Sequence, residues 1–92
     1  MQIRWEEDAL ADLVELRNCI EQDNPSAARA VAQRIIERVS LLKEQPLMGK
    51  AGRIHKTREL VLTGTPYTII YHATTDVITI LRVFHQARKW PA

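Results

Sequence analysis

The strongest constraint on this chain is a change of hydrophobic period at Gln45-Pro46. Upstream, apolar residues recur at helical spacing; downstream, they alternate as strands require. Helices first and strands afterwards point to an α+β domain rather than to repeating βαβ units. Leu10, Leu13, Val14, Leu16 and Ile20, with Arg17 among them, form the first helical stripe. Glu6, Glu7 and Asp8 place negative charge in the first turn, where the helix dipole favours it. This helix fades near Asp23. Asn24-Pro25 then starts a second, because Asn caps free amides and Pro is pre-shaped for the first helical position. Ala28, Val31, Ala32, Ile35, Val39 and Leu42 make its apolar face, and Gln45-Pro46 stops it. So short a joint implies an antiparallel helix hairpin. Ahead of it, Gln2-Ile3-Arg4-Trp5 alternates as a short strand.

Residues 47–56 contain two glycines, four basic or histidine side chains and no regular period, which reads as a mobile, positively charged loop. Three strand-like runs follow: Thr57–Thr63, Tyr67–Thr74 and Val77–Gln86, separated by Gly64-Thr65-Pro66 and a turn at Asp76. The expected architecture is a short N-terminal strand, a helix hairpin and a three-stranded antiparallel meander, with the helices on one face of the sheet. Simple alternation in the last strand sends Ile78, Ile80, Arg82 and Phe84 one way, and Val77, Thr79, Leu81, Val83 and His85 the other. Since helix-facing residues should be apolar, the basic residues are expected on the opposite face, with the 47–56 loop and the C-terminal tail.

A chain of 92 residues is one domain, 1–92, with a modest core. Its 46% hydrophobic and 26% charged residues are ordinary globular usage. No apolar run reaches the ~18–20 residues of a membrane span, and the N-terminus lacks a signal peptide's apolar stretch. The single cysteine, Cys19, permits no internal disulfide. Secreted mini-protein, membrane protein and zinc module are set aside, and a cytoplasmic location is expected. Charge is divided unevenly. Residues 1–46 carry six basic against nine acidic residues, a balance of −3; residues 47–92 carry seven against two, a balance of +5. All three histidines, His55, His72 and His85, lie in the second half. The asymmetry fits either an anionic partner or acidic helices packed on a basic sheet.

Several segments together resemble the RelE/ParE superfamily, toxins of bacterial type II toxin–antitoxin modules: the Asn-Pro joint and Gln-Pro stop, Thr57-Arg58-Glu59-Leu60-Val61, Pro66-Tyr67 through Tyr71, Ile80–Arg88, and terminal Trp90-Pro91. The likeness spans nearly the whole chain. It implies a cognate antitoxin as partner, docking a segment in an apolar groove, with operator DNA met only indirectly through that antitoxin. No cofactor and no metal are implied.

Within the superfamily two mechanisms diverge. RelE-like members are ribosome-dependent endoribonucleases that drive a 2′-hydroxyl onto the neighbouring phosphate, which needs a base, an acid and cations on the phosphate. ParE-like members lack that set and poison DNA gyrase. Here Arg58 could stand for one RelE-type lysine, but Leu60 stands where a second would fall. Thr68 follows Tyr67 where an arginine is expected, and the tail has no tyrosine. An indole such as Trp90 cannot replace the phenol, because it only donates hydrogen bonds. The resemblance is therefore nearer the ParE-like branch, with gyrase as target and Lys50, Arg53, His55, Lys56, Arg58, Arg82, Arg88, Lys89 and Trp90 as expected contacts. The alternative keeps ribosome and mRNA as targets, with His85 as acid or base beside Arg58, Arg82 and Arg88. An inactive homologue that only binds antitoxin is a third reading.

Each residue also has a plainer role. His85 can close the strand end through a backbone hydrogen bond, and His72 reads as solvated or partner-facing. Trp90 reads as a cap on the open edge of the core or as packed against Trp5, and Cys19 as a small buried hydrophobe. Glu6, Glu7, Asp8 and Asp12 read as a solvated helix end rather than a metal site.

Overall fold

The computed structural model describes residues 1–86. In chain order it contains β1 (Gln2–Trp5), α1 (Glu7–Asp23), α2 (Pro25–Leu41), β2 (Lys50–Ala51), β3 (Arg58–Val61), β4 (Tyr67–Ala73) and β5 (Val77–His85). The strands form one sheet in the order β1-β5-β4-β3-β2. β2 through β5 pair antiparallel, whereas β1 lies parallel to β5 from Gln2↔Val77 to Trp5↔Ile80. The helix hairpin thus carries the chain from one outer strand back to the other edge, and the meander returns it beside β1.

Asn24 joins the helices as its sequence neighbourhood implies. Its extended backbone donates to the Ile20 carbonyl at 2.8 Å, ending α1, while its side chain accepts from the Ala27 amide at 3.2 Å, starting α2. The core gathers Ala9, Leu16, Ile35, Val39 and Leu42 from the helical half against Leu60, Leu62, Ile69, Tyr71, Ile78, Ile80 and Val83 from the sheet.

Four expectations change on folding. The 47–56 segment is not a plain loop, because Lys50 and Ala51 pair with Glu59 and Arg58 as β2, giving five strands. The α1 stripe is narrower than its sequence suggests: Ala9 and Leu16 are buried, while Leu10 and Val14 are 48% and 60% exposed. Leu10 and Val14 lie on the row beside Ala9, Leu13, Leu16 and Ile20, and a two-helix layer covers only one such row per helix. Cys19 is exposed rather than buried for the same reason. Finally, β5 does not alternate throughout. Ile70 pairs with Arg82 but Tyr71 pairs with Ile80, so β5 holds one extra residue at Leu81, a bulge. Beyond it the faces exchange. Val83, not Arg82, joins Ile78 and Ile80 in the core.

A second anchor holds the hairpin's exit. The Tyr71 hydroxyl donates to the Pro46 carbonyl and accepts from the Gly49 amide, both at 2.8 Å. Gly49 is required by closeness: a Cβ there would lie 2.7 Å from Tyr71 Cε1 and 2.8 Å from its hydroxyl oxygen. Gly49→Ala should therefore displace the Tyr71 ring and lower stability by about 1–3 kcal/mol, the usual range for overpacking. The midpoint of urea unfolding measures this, and an unchanged midpoint would mean that the ring has room to move.

Candidate functional site

The described basic residues of the second half fold into two separate places. One is the segment linking β2 to β3, whose end is closed by Gly52 N–H donating to the Thr57 carbonyl at 2.8 Å, with Thr57 N–H and Oγ1 both on the Ile54 carbonyl. Lys56 adopts φ 67°, a left-handed conformation unusual for a residue with a Cβ. Glu59, only 4% exposed, accepts the Arg53 amide at 2.9 Å and lies 3.8 Å from its Nε. A buried carboxylate thus fixes a segment that carries Lys50, Arg53, His55 and Lys56 at its surface. Arg58 lies opposite Tyr71, so it shares the helix-facing side of the sheet rather than the opposite face. Its Nη1 donates to the Gly49 carbonyl at 2.7 Å.

The other place is the bulged end of β5. β1 finishes at Trp5, and Glu6 N–H to the Ile80 carbonyl at 3.0 Å is the last backbone bond on that edge. Beyond it the Val83 amide has no strand to face. Asp12 of α1 takes that role: its Oδ2 accepts the Val83 amide at 2.9 Å and Arg82 Nε at 2.7 Å, and its Oδ1 accepts Arg82 Nη2 at 2.9 Å. Asp12 is therefore no solvated helix-end acid; its side chain is 9% exposed and Arg82's is 32%. These hydrogen bonds hold the Arg82 guanidinium above its ordinary value. Burial opposes that rise, and the charges of Asp12, Asp8 and Glu15 add to it. The fork-on-carboxylate geometry makes Arg82 a strut between sheet and helix.

His85 stands just beyond the bulge. Its ring meets Tyr67 edge to face, with centroids 5.2 Å apart and planes at 87°. Both line a groove of about 410 Å³ against α1, whose other walls include Asp12, Glu15 and Cys19. In register His85 pairs with Tyr67 and Arg58 with Tyr71, four residues apart on β4. At ~3.3 Å per residue and ~4.8 Å per strand, their Cα atoms are roughly 16 Å apart. The fold does not bring His85 to Arg58, His55 and Lys56. Arg88, Lys89 and Trp90, the remaining expected contacts, lie outside the described residues. Among the described residues no three His, Cys, Asp or Glu side chains gather as a metal site would require. Nor is any described helix long and apolar enough to cross a membrane.

Sequence reasoning missed Asp12 as the partner of Arg82, since the pair spans 70 positions. It also missed Tyr71 as an anchor. A buried tyrosine in a strand needs a partner for its hydroxyl, and that was the available signal. Burial raises the Tyr71 phenol above 10.0, while the Gly49 amide and the Arg58 charge pull partly back.

Two outcomes follow. Asp12→Ala should cost about 2–4 kcal/mol, because it strands both the Val83 amide and Arg82. A double-mutant cycle with Arg82→Gln, read by denaturant unfolding, should be non-additive by about 1 kcal/mol or more; additivity would mean the pair does not act as a unit. With Tyr67→Phe leaving Tyr71 as the remaining tyrosine, the midpoint of the phenolate absorbance change should lie higher in the folded chain than in the unfolded one. The folded phenol holds its proton where the unfolded one has lost it. That contribution to stability is therefore complete below the unfolded value and disappears as pH rises through the folded one.

Comparison with known proteins adds a family. Residues 3–90 match the model of the ParE toxin of the type II toxin–antitoxin system, parDE. A protein of Sinorhizobium fredii named "Putative toxin Y4kP" is 47% identical over 90 residues, covering 98% of this chain and 93% of that one. Toxin RelE2 of Caulobacter vibrioides is 37% identical over 87 residues, covering 95% and 97%. A chain of the chromosomal ParDE TA system from P. aeruginosa superposes with a TM-score of 0.84 at 25% identity, covering 92% of this chain and 95% of that one.

Proposed function

The chain belongs to the ParE toxin family of type II toxin–antitoxin systems, and from that premise we propose that it arrests growth by poisoning DNA gyrase and is neutralised by a cognate antitoxin. The observation that carries the choice of gyrase over mRNA cleavage is how the candidate catalytic groups are engaged. Arg82 is committed to Asp12, Arg58 gives one donor to Gly49, and His85 faces a groove walled by Asp12 and Glu15. With its Nε–Nη2 fork held on Asp12, Arg82 does not present that fork to the phosphate that an endoribonuclease must hold. The residues absent from the RelE-type set point the same way, with Leu60 and Thr68 standing where cations are expected.

The antitoxin has a fitting surface. Met1, Leu10 and Ile36, at 49%, 48% and 54% exposed, surround a hollow with Ile3 and Trp5 between β1 and the helices. An apolar face of this kind suits a helical or extended partner segment. A small domain gains stability from such binding. The basic β2–β3 segment, at the far edge of the sheet, is the surface assigned to the target.

The similarity to toxin RelE2 keeps the ribosome as the competing target. Purified gyrase, supercoiled plasmid, ATP and the chain decide between them. Linear DNA released after protein denaturation, and suppressed by antitoxin, is expected. His85→Gln should leave that trapping within a few-fold of the parent. Intact supercoiled plasmid at excess chain, with mRNA cut on the ribosome and lost in His85→Gln, would replace gyrase by the ribosome.

A further inference from the structure

We infer that the hollow at the β2–β3 edge is an oxyanion site that holds a backbone phosphate of duplex DNA directly. The inference builds on the gyrase reading, since a poison of a DNA-cleaving enzyme acts where DNA is bound. The hollow measures about 350 Å³ and is lined in part by Lys56, Thr57, Arg58 and His72, with no carboxylate among the described residues of its wall. That separates it from the His85 groove, which has Asp12 and Glu15, and from the hollow beside the start of α1, which has Glu6, Glu7 and Asp8.

The cations there are arranged for an outside ligand. Arg58 is oriented by its Nη1 bond to Gly49, which leaves its other guanidinium donors without a bond to any described residue. A guanidinium held in place loses little freedom when it takes a phosphate, and its fork matches two oxygens. No described carboxylate forms a salt bridge with Lys50, Lys56 or Arg58, whereas Arg53 is next to Glu59 and Arg82 is paired with Asp12. Glu59, the nearest acid in sequence, is turned to Arg53. The segment is tied down by Gly52–Thr57 and Glu59, so its cations stand on fixed backbone rather than on a loose tail.

Charge placement favours an extended polyanion. The acids of α1 lie against β5, and Lys50, Lys56 and Arg58 lie two or more strands away at the β2 edge. A duplex is drawn to one edge and repelled from the other, which orients the chain on DNA. Lys56 and Arg58, the two basic side chains in the wall of the hollow, suit about two phosphates.

The test is fluorescence anisotropy of a labelled 20-base-pair duplex with the full chain, without gyrase, from 50 to 200 mM salt. Two neutralised phosphates give a slope of log affinity against log salt of about −1.8, a loss of ~12-fold over that range. Removing one contact should bring the slope to about −0.9 and the loss to ~3.5-fold. Arg58→Gln also gives up the Gly49 bond, so Lys56→Asn, at an exposed position whose left-handed backbone Asn accepts, carries the test. Arg29→Gln on α2 should leave the slope unchanged. No measurable duplex binding, or a slope that Lys56→Asn does not alter, overturns the inference. So does polyglutamate displacing the duplex as well as unlabelled DNA of equal charge, which would make the hollow a carboxylate site for an acidic protein. The gyrase assay stands apart. DNA affinity without trapped cleavage would remove the gyrase reading and keep this site; trapping without DNA affinity would do the reverse.

Discussion

Asp12 decides how the two halves of this molecule meet. Its carboxylate takes the Val83 amide and both prongs of Arg82, joining α1 to β5 where β1 has run out. An open strand edge must find partners for its amides, and here an acid from a helix does what a neighbouring strand would do. The bulge at Leu81 belongs to the same arrangement. It turns Val83 into the core and sends His85 to the α1 groove. The rotation of α1 follows, with Ala9 and Leu16 buried and Leu10, Val14 and Cys19 left outside.

The opposite edge is ordered by a second set of polar contacts. Tyr71 holds Pro46 and Gly49, Arg58 holds the Gly49 carbonyl, and Glu59 holds the Arg53 amide. Here too a residue with a chemical reputation serves structure first. Arg58 and Arg82, both attractive as phosphate ligands when seen as letters, each have a protein partner. They differ in what remains: Arg82 spends its fork on a carboxylate, while Arg58 gives one donor to a carbonyl. Both keep further N–H donors, but the charge of Arg82 is answered by a carboxylate, whereas no described carboxylate forms a salt bridge with Arg58.

Much of the fold was legible beforehand because it rests on short-range physics. The Asn24-Pro25 joint, the α2 face and the strand at Gln2–Trp5 appear where capping, proline geometry and periodicity put them. The resemblance to RelE/ParE toxins is matched by a family model over residues 3–90 and by a ParDE structure at a TM-score of 0.84. The candidate site was less legible. A sequence shows that basic residues and histidines share the second half, but the sheet places His85 and Arg58 on strands two apart, against β4 residues four positions apart.

By itself the sequence determined the element types other than β2, the hairpin, the division of charge and the family, because each depends on residues a few positions apart or on composition. Tertiary structure alone decided the parallel seat of β1, the bulge in β5, the sides of the sheet taken by Arg58 and Val83, and the pairing of Arg82 with Asp12. One extra residue in a strand reverses every side chain after it, and a carboxylate finds its guanidinium across 70 positions only once the layers have packed. No local pattern carries that information, since the free energy that fixes it belongs to contacts the unfolded chain does not make.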